Sequence, residues 1–220
     1  SLVIGILLHT FYLGGVWEAI AHGSPAGIAS VITSMQPIFV SLIAVKLLGE
    51  RISKLQSLGL VMGFLGVALV LEPSFARSNE MTGLALALLV LGLTGSTTAT
   101  LLQKKIGHSI PLLAGTTYQF LASALVLGLL SLFRGETSLD WNLESSLAMV
   151  WAVVVTSVIA ILLLLWMLTR GSAARVSSLL YLVPPMAAVQ AFALFGEKLN
   201  PLAITGIVVT ATGVALVQKR

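Results

Sequence analysis

One stretch of this sequence occurs twice, and the repeat limits the folds that the chain can adopt. The turn Gly-Glu-Arg at 49–51 returns as Gly-Glu-Lys at 196–198, about 147 residues later and without a gap. Each copy follows an apolar run that contains a proline, Pro37 or Pro184, and precedes a run with regularly spaced glycines. Composition alone would repeat leucine and valine, but not proline, glycine and glutamate in register. The chain is therefore built from two related units.

The apolar runs have the length of membrane-spanning helices. Hydrophobic residues make up 57% of the chain and charged residues 9%, whereas a soluble domain carries about 25% charged residues. A helix needs about 20 apolar residues to cross the hydrocarbon core of a bilayer. Runs of this kind lie at about 1–21, 25–48, 54–71, 82–103, 111–133, 145–168, 172–195 and 201–217. We therefore predict an all-α polytopic membrane protein with about eight transmembrane helices in this chain.

The two repeat units hold unequal numbers of helices. The first unit, 1–71, has three runs, and the second, 82–217, has five. Equal units would need two more helices before Ser1, so we predict an N-terminally truncated form of a ten-helix protein with an inverted five-plus-five repeat. An eight-helix protein with unequal halves is the alternative. Five helices per unit make the units antiparallel, as in many secondary transporters.

The basic residues test this inversion independently. If successive helices alternate in direction, most of the basic residues fall on one side of the membrane. That side holds Lys46, Arg51, Lys54, Lys104, Lys105, Arg170, Arg175, Lys219 and Arg220, and the other holds Arg77, Arg134 and Lys198. By the positive-inside rule, the first side is cytoplasmic. We therefore predict a multi-pass protein of the cell (inner) membrane with a cytoplasmic C-terminus.

The two repeated turns are candidate structural hinges. Gly49 and Gly196 are predicted to end their helices in the left-handed conformation that glycine adopts readily. Glu50 and Glu197 follow directly, and each carboxylate is predicted to lie before the next helix, near the positive end of its dipole. A direct role of these turns in gating is the alternative interpretation.

Pro37 and Pro184 are predicted to break the helices that contain them. A proline inside a helix removes one backbone hydrogen bond, and membrane lipid tolerates this only where neighbouring groups or a cavity satisfy the freed carbonyl. Small and polar side chains share a helical face with each proline, including Ser34 and its repeat partner Tyr181. Such a face either packs closely against another helix or lines a water-filled path.

A few other polar side chains lie within the predicted spans, where polar groups often mark a transport path. The candidate substrate-binding residues are His9, Tyr12, Ser34, Gln36, Tyr118, Gln119 and Tyr181. For His9, the alternative is a neutral histidine that is hydrogen-bonded to the backbone. For the glutamines, the alternative is hydrogen bonding between helices.

Several functional classes leave no trace in the sequence. The chain has no cysteine, no Walker loop, no dinucleotide-binding glycine motif and no zinc-protease motif. We therefore predict no catalytic residues, no metal site and no cofactor, and a protein that is not an enzyme. The net charge of +4 is small and scattered, so nucleic acid is not an expected partner.

The paired motifs resemble those of the EamA-type family in the drug/metabolite transporter superfamily. The resemblance rests on Gly-Ser-Pro-Ala-Gly at 23–27, Gln36-Pro37 and the turn at 49–51, with matching elements in the second unit. It implies export of small organic solutes, amino-acid-like metabolites or drugs across the bacterial inner membrane. It also implies a central cavity lined by the first, second, sixth and seventh helices of this chain. His9, Tyr12, Ser34 and Tyr181 lie on those helices, whereas Tyr118 and Gln119 lie on the fifth.

These observations together predict a secondary transporter that works by alternating access within the lipid bilayer. The absence of a deep acidic residue favours a neutral or zwitterionic substrate. The proton is the candidate coupling ion, because His9 is the one deep residue that titrates near neutral pH. Gly59 and Gly63 permit close helix approach, which favours packing within the chain and leaves a monomer or a homodimer open. A non-transporting membrane scaffold or sensor is the alternative function.

Overall fold

Helices are the only regular secondary structure in the described part of the chain. The computed structural model describes residues 1–72, 81–135, 141–195 and 199–219, without the side chains of residues 108, 191, 194 and 195. The helices are α1 Leu2–Ala21, α2 Ala26–Leu47, α3 Lys54–Val70, α4 Gly83–Ile106, α5 Leu112–Arg134, α6 Leu143–Arg170, α7 173–195 and α8 Pro201–Gln218. No strand occurs in the part of the chain that the structure describes. The all-α prediction with about eight helices is confirmed.

Six of these helices are long and apolar enough to cross a membrane: α1, α2, α4, α5, α6 and α8. Helix α3 has 17 residues, slightly short of a typical span, and α7 is interrupted by a tighter segment. Because a bilayer offers no water to the backbone, continuous helices of this length are the structures that can span it. The fold is that of a polytopic membrane protein.

Both repeats interrupt their helices at corresponding places. Helix α1 is π-helical over Ile6–Gly14, and α6, its repeat counterpart, is π-helical over Trp151–Ala160. Helix α2 tightens before Pro37, where the Met35 N–H donates to the Ile32 carbonyl, three residues back. Helix α7 tightens to a 3₁₀ segment, Leu179–Leu182, before its two prolines. In both helices the regular α-helical geometry is therefore interrupted just before the proline, and the role of these prolines as hinges stays a prediction.

The loops between helices alternate between two ends of the bundle. At one end, Lys104 donates to the carbonyl of Gly171, and Glu50 accepts from the N–H of Ala173. At the other end, Thr82 donates to the His22 carbonyl, and Arg134 forms an ion pair with Glu18. We call these the Glu50 end and the Glu18 end. The predicted alternation of helix direction is therefore present.

Helices α3 and α8, which close the two repeats, cross in close antiparallel contact. A Cβ atom added to Gly59 would lie 2.5 Å from the Gly213 carbonyl oxygen, and one added to Gly66 would lie 2.8 Å from the Gly206 carbonyl oxygen. Gly59 and Gly206 are repeat partners, and so are Gly66 and Gly213. The Gly59–Gly213 contact of one repeat therefore corresponds to the Gly206–Gly66 contact of the other, as expected if a two-fold axis relates the two units. Small residues bring the backbones together. The glycines serve packing within the chain, as predicted.

Helix α6 is the least covered helix of the bundle. No residue in its most apolar 18-residue stretch is buried. By contrast α1, its repeat counterpart, packs against α4 and α5. Only the end that follows the π-helical stretch reaches the core, through Leu165 and Leu168. A face that is covered in the first repeat is therefore open in the second.

Candidate functional site

A cavity of about 140 Å³ lies between helices of both repeats, and we call it the histidine cavity. Its lining comes from α1, α2, α4, α6 and α7: Leu8, His9, Tyr12, Leu13, Gln36, Thr100, Ile161, Leu164, Leu168, Val176, Ser177 and Leu180. Most of these side chains are aliphatic. Leu168 and Val176 place its far wall close to the Glu50 end.

A second cavity, of about 200 Å³, adjoins the first on the side of the Glu18 end. We call it the serine cavity, because Ser30, Thr33 and Ser34 lie along one wall. Tyr12, Gln36 and Leu180 line both cavities, and Pro184 lines the serine cavity. The two spaces therefore stack along the bundle axis and meet near its middle.

His9 is a buried polar residue of the histidine cavity. The residue is 5% exposed, and its ring stacks on Phe120 with centroids 4.5 Å apart. Its Nε2 atom has no hydrogen-bond partner among the described residues. A buried polar atom without a partner is unfavourable by about 1–3 kcal/mol. The Nε2 atom of this cavity residue is therefore free to bind a solute. The hydrogen bond from the ring to the backbone, which was the alternative interpretation, does not occur among the described residues.

The other polar side chains at the cavities are held by bonds of their own. Gln36 donates through Nε2 to the Thr100 hydroxyl over 3.1 Å, which joins α2 to α4 across the repeats. Ser34 donates to the Ser30 carbonyl, and Ser177 donates to the Ala173 carbonyl. The two serine hydroxyl groups thus donate their hydrogen bonds to carbonyl groups of their own helices. Their oxygen lone pairs remain able to accept a hydrogen bond.

Tyr181 lies outside both cavities. The side chain is fully buried against α3 and α8, in a cluster with Leu60, Val67 and Val214. Its ring fills the space above Gly63, where an added Cβ atom would lie 2.5 Å from the ring. Because Gly63 has no side chain, the Tyr181 ring can pack directly against the backbone of α3. The helical face that Tyr181 shares with Pro184 therefore packs against another helix at this position and does not line a cavity. The structure makes Tyr181 a packing residue.

The fifth helix brings neither of its two candidates to the cavities. Tyr118 is 55% exposed on the outer surface of α5, opposite the buried face that carries Thr116 and Ser123. Gln119 lies on the buried face, where its Nε2 donates to Gln103 Oε1 over 3.0 Å. This bond joins α5 to α4, which is the predicted alternative role for a glutamine. We therefore leave both residues out of the candidate site.

The first repeated turn is built as predicted at Gly49 and differently at Glu50. Gly49 has φ +68, the left-handed conformation. The Glu50 carboxylate does not reach the next helix, because Ser53 and Gln56 already cap it. It accepts instead from the backbone N–H groups of residues 173 and 174, at 2.7 and 3.4 Å. The predicted partner of Glu50 was wrong, since it is the first turn of α7 in the other repeat.

Of the other four candidate hinge residues, the structure describes the two prolines. Pro37 and Pro184 are both buried. Gly196 and Glu197 lie outside the described residues.

Two groups near the histidine cavity, Thr100 and Lys104, were not among the candidate site residues from the sequence. Thr100 was not singled out, because a threonine in a spanning helix gives no signal of its own. Lys104 lies at the end of α4 and donates to the carbonyls of Leu168 and Gly171, at 3.0 and 2.6 Å. Glu18 binds Arg134 through both guanidinium nitrogens at the opposite end. No metal-binding group of three or more His, Asp or Glu side chains occurs in the described ranges.

Comparison with known proteins gives one family. The profile of the EamA-like transporter family matches residues 1–72 and 82–218. A relative in Streptantibioticus cattleyicolor, described as a probable terminal-alkyne amino-acid exporter, is 30% identical over 202 residues. This match covers 89% of the present chain and 65% of the relative. The chain thus spans less than two thirds of that relative's length.

Two further relatives have names that give no substrate. The uncharacterized transporter YvbV of Bacillus subtilis is 25% identical over 89% of this chain and 64% of its own length. The uncharacterized inner membrane transporter YedA of Escherichia coli K12 is 27% identical over 98% of this chain and 69% of its own length. A solved crystal structure superposes with a TM-score of 0.79 at 16% identity, over 99% of this chain and 75% of that one. That likeness concerns the fold alone.

Proposed function

The chain belongs to the EamA-like transporter family, and on that premise we propose that it moves small organic solutes across the cell membrane by alternating access. The proposed direction is export, and the proposed cargo is an amino-acid-like metabolite or drug. One relative is described as a probable amino-acid exporter, which supports this class.

The observation that carries the proposal is the unpartnered Nε2 of His9 in a cavity lined by both repeats. In transporters built from inverted repeats, the substrate site lies near the bilayer midplane where the repeats meet. Tyr12 and Gln36 line both cavities at this level. We assign His9, Tyr12, Ser34 and Gln36 to the substrate site.

The contacts at the two ends support a state that is closed at the Glu50 end. Glu50 and Lys104 both bind the short turn between α6 and α7, which lies beneath the histidine cavity. Leu168 and Val176, on the two sides of this turn, form the wall of the cavity there. Because the basic residues gather at the Glu50 end, the positive-inside rule makes this end cytoplasmic. The proposed state therefore faces away from the cytoplasm.

The proposed cycle needs α2 and α7 to bend. Each of these helices is broken beside its proline, at the level where the two cavities meet. A broken helix has fewer backbone bonds to resist bending. Rocking of one repeat against the other about these breaks would open the Glu50 end and close the Glu18 end. Protons are the proposed coupling ion, with His9 as the group that carries them.

The test compares solutes released into the medium by cells that overproduce the protein, the His9→Ala variant or neither. A metabolite released only by cells with the unmodified protein, at matched protein levels, is the expected result. Equal release by the variant would remove His9 from the site. No difference between any of the three strains would overturn export and favour the scaffold alternative.

A further inference from the structure

The two cavities differ in chemistry, and the difference specifies how a solute is oriented. The histidine cavity is walled by aliphatic side chains such as Leu164, Leu168 and Val176. The serine cavity carries the aliphatic hydroxyl groups of Ser30, Thr33 and Ser34. An apolar group gains free energy by leaving water for the first, and a polar group keeps hydrogen bonds in the second.

Size sets a second condition on the solute. A cavity of about 150 Å³ with an apolar lining holds a molecule of the size of benzene. The histidine cavity, at about 140 Å³, therefore has room for one compact apolar group of about six carbon atoms. Larger apolar groups would collide with Leu164 or Val176, because packed walls resist added volume.

The charge of the lining sets the third condition. Neither cavity is lined by Asp, Glu, Lys or Arg among the described residues. The hydroxyls of Thr33 and Ser34 donate to carbonyls of their own helix, so their lone pairs face a solute as acceptors. A protonated amine, an amide or a hydroxyl group can donate to such oxygens. A solute with a net charge would find no carboxylate, ammonium or guanidinium group of opposite charge in either lining.

We propose that the transported solute is a small neutral or zwitterionic amphiphile that binds with its apolar group in the histidine cavity and its polar group in the serine cavity. This inference rests on the proposed transport function and adds its orientation and its size limit. Leu164 is then a specificity-determining residue, because its side chain limits the length of the apolar group. Tyr12 and Gln36, which line both cavities, lie beside the joint between the two groups. In this orientation His9, one helical turn from Tyr12 in α1, meets the end of the polar group at that joint, and the aliphatic walls hold the apolar group.

The test measures how strongly solutes shield single thiols in the membrane-embedded protein. The chain has no cysteine, so Ser177→Cys reports on the histidine cavity and Thr33→Cys on the serine cavity. Glycine, L-alanine, L-valine, L-leucine and L-phenylalanine serve as probes that share one polar group. At Ser177→Cys, we expect slowing of maleimide labelling to increase with side-chain size. At Thr33→Cys, every probe that binds is expected to slow labelling to a similar degree.

Leu164→Phe supplies the decisive comparison, because it adds bulk of about three carbon atoms to the cavity wall. In this variant, we expect shielding by L-phenylalanine to fall at least about fivefold, while shielding by L-alanine is kept. The matched control is Leu163→Phe, since Leu163 is the next residue of α6 and is 54% exposed. The control is expected to behave like the unmodified chain.

Three results would overturn the orientation. They are shielding that is independent of side-chain size, equal effects of the two phenylalanine substitutions, and no shielding by any probe. If cells still released a metabolite in a His9-dependent manner, the transport proposal would survive these results. If release were also absent, the proposed function would fail first.

Discussion

The carboxylate of Glu50 accepts a hydrogen bond from the backbone N–H of Ala173 over 2.7 Å, across a separation of 123 residues. This contact joins the turn that ends α2 to the first turn of α7, which belongs to the other repeat. A charged acceptor at the start of a helix is favourable, because the first N–H groups lack partners within the helix. The contact therefore fastens the two repeats together at one end of the bundle.

Loss of this contact is expected to open the Glu50 end. Removing a capping side chain costs about 0.5–2 kcal/mol, so Glu50→Ala should favour the open state by roughly two- to thirty-fold. The measurement is the labelling rate of a Ser177→Cys thiol by a membrane-impermeant maleimide applied from the side of the Glu50 end, which is cytoplasmic in the proposed topology. We expect the rate to rise by that factor.

Glu72→Ala is the control for this experiment, because Glu72 is an exposed carboxylate in the loop that follows α3. The control should leave the labelling rate unchanged. An unchanged rate in Glu50→Ala would mean that the contact does not hold the end closed.

The sequence predicted features of single helices, but it did not predict which groups of different helices would be in contact. Apolar runs and proline positions report on each helix by itself, so the number of helices and their breaks were predictable. The partner of Glu50 is a backbone group in the other repeat, and no side-chain pattern marks a backbone N–H. Tyr181 illustrates the same limit, because its place depends on the missing side chain of Gly63. A helical face predicts which residues point inward, but not whether they meet a cavity or a packed neighbour.

The close crossing of α3 and α8 predicts sensitivity to a single added methyl group. In Gly213→Ala, the new Cβ atom would lie 2.5 Å from the Gly63 nitrogen and 2.7 Å from the Gly59 carbonyl oxygen. The helices must move apart, which costs about 1–3 kcal/mol and lowers the melting temperature by roughly 2–12 °C. Fluorescence-detected melting in detergent measures this shift. Gly128→Ala, whose Cβ would meet open space, should melt like the unmodified protein, and equal melting of both variants would contradict the packing argument.

Tyr181 distinguishes packing from substrate binding. Its hydroxyl oxygen is buried without a hydrogen-bond partner among the described residues, so Tyr181→Phe should be neutral or slightly stabilising. Tyr181→Ala removes the ring from its site above Gly63, and large-to-small changes of this kind cost about 3–5 kcal/mol. We expect full solute release from cells with the phenylalanine variant and a lowered melting temperature for the alanine variant. Lost release in Tyr181→Phe, at normal melting temperature, would return this residue to the substrate site.

His9 is the group through which pH is expected to act on transport. An imidazole changes its charge within a unit or so of about pH 6.5, and of the residues that line the two cavities only His9 and Tyr12 titrate at all. Tyr12 stays protonated near neutral pH, since a phenol has an ordinary pKa of about 10. Transport by the unmodified protein should therefore depend on pH in the mildly acidic range, whereas His9→Gln should transport at a rate independent of pH in this range. His22→Gln is the matched control, because His22 is exposed at the Glu18 end and its Nδ1 lies 2.9 Å from the Glu18 carbonyl oxygen. The measurement is initial solute release at fixed membrane potential, and pH dependence that persisted in His9→Gln would exclude this histidine as the coupling group.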